Sequence, residues 1–166
     1  MAEKEQIVKE KVEHNGLFDF ASFYSFAHQW FKEGGFGVTE EKYAEKTSGS
    51  SRDIDIEWKA MKDVSDYFKF EFKIKFEVKG LSDVEVEIDG EKKAMNKGKV
   101  SVDITGVLIL DKDGKWETSP FSRFMRDVYN KYVVPARVAG MREEVSGNAQ
   151  SFKEEIKAFL DMVGKR

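Results

Sequence analysis

Between Tyr67 and Lys79 the chain alternates apolar and charged residues without a miss. Phe68, Phe70, Phe72, Ile74, Phe76 and Val78 are interleaved with Lys69, Glu71, Lys73, Lys75, Glu77 and Lys79. Successive side chains of a strand point to opposite sides, so a strand here puts its apolar groups on one face and its charges on the other. That division belongs to an antiparallel sheet with one packed face and one wet face. Burying the six apolar side chains supplies about 10–15 kcal/mol of gross hydrophobic free energy, at about 1.5–3 kcal/mol each. A one-residue slip would turn the phenylalanines to water, so the facing is more strongly specified than the pairing.

The rest of the chain has what such a sheet needs. Its 166 residues suit one domain with a real core. Fourteen Phe and only two Pro argue against disorder. Further strands are expected at Ile7–Val12, Phe36–Lys46, 53–60 (with Ile54, Ile56, Trp58 and Ala60 inward), 84–88 and 100–110. Asp89-Gly90 is a strong turn signal. Gly80-Leu81-Ser82 reads as a loop, which would set Val78 against Val84 and Phe76 against Val86. Cross-strand charges then favour Ile74 opposite Ile56.

Asp19 is a good helix N-cap, flanked by Phe18 and Phe23 at the spacing of a hydrophobic staple. Phe20, Phe23, Tyr24, Ala27, Trp30 and Phe31 continue the helical stripe until Gly34-Gly35 stop it. Near the C-terminus, Ser119-Pro120 opens a helix expected over 120–134, ended by Pro135. Ser151 and Glu154 form a capping box for a last helix carrying Phe152, Ile156, Phe159, Leu160 and Val163. Residues 136–150 read as a loop or linker, and 1–5 and 165–166 as frayed ends.

The expected fold is therefore α+β, a single domain over 1–166. It has an N-terminal helix, a meandering antiparallel sheet of five to six strands packed on one face by helices, and two C-terminal helices. The order helix, strands, helices resembles helix-grip and cystatin-like folds in outline. The resemblance covers topology and no motif, and it implies no activity.

Chemistry is sparse. The absence of cysteine excludes disulfides, zinc–thiolate sites and thiol nucleophiles. His14 and His28 lie on different elements without metal spacing, and His28 sits beside the aromatic stripe as a structural residue. Asp53, Asp55 and Glu57 line one side of a strand and could hold a divalent ion, but neighbouring lysines make a solvated charged face the plainer reading. Gly34-Gly35-Phe36-Gly37 follows a helix, where a phosphate cradle would precede one. No catalytic constellation stands out, and neither cofactor nor metal is expected. The net charge of −3 makes nucleic acid an unlikely partner. No apolar run reaches the roughly 18 residues of a membrane span, and the charged N-terminus lacks a secretory core, so a cytoplasmic protein is expected. Its Glu/Lys-rich charge is common in heat-adapted proteins.

Two features suggest contacts. Segment 119–142 carries a net charge of +4, leaving −7 elsewhere, and combines Arg123, Arg126 and Lys131 with Phe121, Phe124, Tyr129 and Tyr132. Such a helix either packs on the core or binds a protein partner or an anionic membrane surface. Val107 and Ile109 stand on the face that is charged elsewhere, which calls for a covering helix or a second subunit. The leading expectation is a non-enzymatic interaction or assembly module, self-associating or binding a protein. The alternatives are a carrier holding a hydrophobic ligand in a cavity lined by Phe23, Ala27, Trp30, Trp58, Phe70 and Phe72, or peripheral membrane binding through 120–134.

Overall fold

A computed structural model describes residues 2–65, 67–111 and 134–164. The described elements run β1 (Ala2–Phe18), α1 (Phe20–Glu33), β2 (Gly37–Ser48), β3 (Ser51–Asp63), β4 (Phe68–Ile88), β5 (Glu91–Asp111) and α2 (Val134–Gly164). The fold is α+β. Its antiparallel sheet has the order β1-β5-β4-β3-β2, so β2 to β5 meander and β1 returns to pair with β5. The basic aromatic segment expected as a helix over 120–134 lies outside the described residues, except for Val134 at the start of α2.

The alternating strand faces as its pattern requires. Phe68, Phe70, Phe72, Ile74, Phe76 and Val78 are all buried. Trp58 pairs with Ile74 and Ile56 with Phe76, a two-residue slide from the expected Ile56–Ile74 pairing. An even slide preserves the face, and burial punishes only an odd one.

The expected loop at Gly80-Leu81-Ser82 is not a loop. β4 runs on through it to Ile88, with a register irregularity between Lys79 and Ser82. Gly80 takes φ +63°, its N–H donates to Asp53 Oδ1 at 2.9 Å, and Leu81 is fully buried. The core face thus passes from Val78 to Leu81, an odd step that marks a bulge and bends the strand without reversing it. Opposite, a Cβ on Gly98 would lie 3.1 Å from Leu81 Cα, so glycine permits the close approach. The reversal comes at Asp89-Gly90, both at positive φ, and Val84 faces Met95. Residues 83–95 therefore form a two-stranded ribbon beyond the ends of β1 and β3.

The C-terminal helix is also longer than its capping box implies. Residues 136–150 are helical, and Ser151 sits inside α2. Val138, Val145, Ala149, Phe152, Ile156 and Leu160 make a buried stripe at steps of three, four and seven. Gly140 and Gly147 lie on the exposed side, where each costs only about 1 kcal/mol of helix propensity. Continuous burial outweighs them. The stripe crosses β5 at Gly106, where an added Cβ would meet Val145 Cγ1 at 2.7 Å and Val8 Cγ1 at 2.8 Å.

At the other end of the chain, β1 is paired from Ala2 to Phe18, replacing the short strand and frayed end expected there. Arg142–Glu5 at 3.0 Å and Lys153–Glu10 at 2.9 Å tie it to α2. No helix among the described residues is long and apolar enough to cross a membrane.

Candidate functional site: an apolar cleft beside the ribbon

Helix α1 is set by local chemistry. Asp19 Oδ1 accepts from Ser22 N at 3.3 Å and its Oδ2 from Ser22 Oγ at 2.9 Å. Phe18 meets Phe23 edge-on at 6.4 Å, completing the staple. The helix then lies on the sheet through rings: Phe23 on Phe76 at 6.0 Å and Phe31 on Phe72 at 5.9 Å. Phe23, Ala27, Trp58, Phe70 and Phe72 are buried, and Trp30 is half-buried against Phe31 and Phe152, both at 5.0 Å. At these six positions the space between helix and sheet is filled by side chains.

Val107 and Ile109 are buried within the single chain, at 6% and 4% exposure. Between them and β3, Glu71 is fully buried too, although its face is the charged one. This departs from the expected wet face, which holds for the exposed Lys73, Lys75 and Lys79. Glu71 is balanced by Lys59 Nζ at 3.2 Å and Lys4 Nζ at 3.8 Å, and its oxygens accept no hydrogen bond from the described residues. The residues Phe121, Arg123, Phe124, Arg126, Tyr129, Lys131 and Tyr132 lie outside the described residues.

The acidic row does not assemble as a metal site. Among the described residues no three His, Asp or Glu side chains gather to hold an ion. Asp53 instead anchors the bulge at Gly80. His14 Nε2 donates to Leu17 O at 3.1 Å, and the ring packs edge-on against Phe18. His28 packs edge-on against Trp58 at 5.5 Å, in keeping with a structural role.

One polar cluster joins α1 to the sheet edge. Tyr24 Oη donates to Glu40 Oε1 at 2.7 Å, and Trp58 Nε1 donates to the same oxygen at 3.2 Å. Burial, reinforced by the Glu40 carboxylate, pushes the Tyr24 phenol from 10.0 up to about 12. Both causes favour the neutral phenol in the folded state. The stability it contributes is therefore fully present below about pH 10 and lost as pH rises through about 12. Denaturant midpoints measured across that window should fall less in Tyr24→Phe than in the parent. Identical slopes would show that the cluster is not linked to folding.

The apolar surface left open lies elsewhere. The inward face of the ribbon carries Val84, Val86, Ile88 and Met95. Opposite it, Phe159 and Met162 stand one turn apart on α2, and the start of α1 closes the third side. Between them is an open cleft of about 320 Å³, lined by Ile88, Met95, Phe159 and Met162, with Asp19, Ser22 and Lys93 at its rim. Phe26 stacks behind Phe159 at 4.8 Å and stiffens that wall. Met162 is 59% exposed, a large apolar side chain left in water.

Among the described residues, none of the site residues expected from the sequence lines this cleft. The available signal was the Asp89-Gly90 turn: a hairpin there needs a second strand, so the polar segment Glu91–Gly98 had to pair with Ser82–Ile88.

A second hollow of about 330 Å³ lies on the charged face, where Lys9, Lys73 and Lys75 are set among Glu41, Glu57 and Asp103. Lys75 is held by Glu77 at 3.2 Å, and that hydrogen bond and charge raise the Lys75 ammonium above its ordinary value. Its balanced charges describe a solvated ion-pair network.

No protein-family model matches the chain, and no curated protein matches it. A solved structure of an uncharacterized protein from Rhizobium leguminosarum is similar at 10% identity and a TM-score of 0.24, over 98% of this chain and 99% of its own. A likeness of that degree carries no argument about function, and the cleft has to be read from its own chemistry.

Proposed function

We propose that this protein is a non-enzymatic binding module that takes up an apolar group in the cleft between the β4–β5 ribbon and the end of α2. The observation that carries the reading is the contrast between two apolar regions. The helix–sheet interface is filled by rings, whereas Met162, Phe159, Ile88 and Met95 leave a concave apolar surface in water. Binding sites are concave and mostly apolar, with a few polar groups at the rim, and the cleft's volume is at the small end of their range. Methionine suits such a surface because its thioether is polarizable and its chain adapts to shape. Assembly through Val107 and Ile109 has less support, since the chain itself buries both.

Nile red, a neutral apolar dye, tests the reading directly. The folded protein should enhance and blue-shift its fluorescence at low micromolar concentration. Ile88→Glu and Met162→Glu should each weaken dye binding by about tenfold or more, because each places a charge in the apolar wall. Both positions are solvent-accessible, so circular dichroism should be unchanged. Dye binding that ignores both substitutions, or no dye binding, would overturn the assignment.

A further inference from the structure

Building on the cleft as a binding site, we propose that its ligand is a free straight-chain amphiphile with an anionic head, a medium-chain alkyl carboxylate in chemical class. The chain lies along Ile88, Met95, Phe159 and Met162, and the head meets Lys93.

Lys93 is what distinguishes this occupant from a purely apolar one. It sits two residues before Met95 and so shares the inward face of the ribbon, opposite Val86. A lysine among Val86, Ile88 and Met95 has no described carboxylate within ion-pair distance. The acid at the rim, Asp19, is already engaged, with both oxygens accepting from Ser22 at the start of α1. Of the two charged side chains described at the rim, the Asp19 carboxylate is held in the α1 cap, and the Lys93 ammonium is the one left to meet a ligand. An anionic head complements it, while the (CH₂) stem of Lys93 can extend over the apolar tail.

Bulk electrostatics point the other way. The chain carries −3 overall, so long-range attraction alone would favour a cationic amphiphile. A preference for the anion has to come from the local charge.

The test compares octanoate, octanol and octylammonium as monomers displacing Nile red, with methyl NMR shifts of Ile88, Met95 and Met162 locating the site. Octanoate should bind about threefold to fivefold more tightly than octanol, the scale of one exposed charge pair, and octylammonium should bind most weakly. Lys93→Gln should erase the preference for octanoate over octanol. From hexanoate to decanoate the affinity should rise about fourfold per methylene until the cleft is full. Equal binding of octanoate and octylammonium, or an octanoate preference that survives Lys93→Gln, would overturn the anionic ligand while Nile red binding still supports the cleft. Failure of all three alkyl compounds together with the dye would overturn the cleft itself.

Discussion

Lys59→Met should lower the unfolding free energy by about 3 kcal/mol, and adding Glu71→Met should recover most of the loss. Glu71 is fully enclosed, and its charge is met by Lys59 at 3.2 Å and Lys4 at 3.8 Å. Removing one member of a buried pair strands the other, which costs about 3–5 kcal/mol. Lys4 is more than half exposed and remains within reach, so the low end of that range applies. Replacing the carboxylate itself is different, because the desolvation penalty goes with it. Glu71→Met alone should be close to neutral, since it sets an apolar side chain beside Val107. Urea unfolding of the four proteins closes the double-mutant cycle. A Lys59→Met loss below about 1 kcal/mol would mean that the pair does not balance the buried charge.

Phe72→Ala should destabilise the fold by about 3–5 kcal/mol, the scale of a buried phenylalanine deletion with its residual cavity. The ring is 1% exposed, touches Phe31 at 5.9 Å and Phe36 at 5.4 Å, and lies against Gly106 where α2 crosses the sheet. Three elements therefore meet on one side chain, and none can collapse into the gap alone. Its neighbour Lys73 is exposed, and Lys73→Ala should change stability by no more than about 0.5 kcal/mol. The two urea midpoints should differ widely. Similar midpoints would contradict the orientation of β4.

Most of the scaffold was legible in local pattern. The alternation at 68–78, the Asp19 cap with its Phe18–Phe23 staple, and the Asp89-Gly90 turn each rest on interactions within a few residues. Such features survive without knowledge of the rest of the fold. The misreadings share one cause. Gly80 looked like a loop because glycine permits positive φ in a turn and in a bulge alike. Ser151 looked like a cap because a serine before a glutamate satisfies helix ends locally, while the burial of Val138 and Val145 that continues the helix is decided by β5 and β1.

The candidate site was illegible for the same reason. Ile88, Met95, Phe159 and Met162 come from three elements separated by up to 74 positions. Their meeting depends on β4 continuing past its bulge and on α2 reaching back to the ribbon.

Alone, the chain's residue order determined which face of β3 and of residues 68–78 turns inward and where α1 begins, because periodicity and capping are short-range. Only the tertiary structure decided that a charged-face glutamate is sealed from water, that a glycine bends rather than ends a strand, and that an apolar cleft stays open. Those outcomes depend on which distant segments approach, and burial is a property of the assembled neighbourhood rather than of the residue.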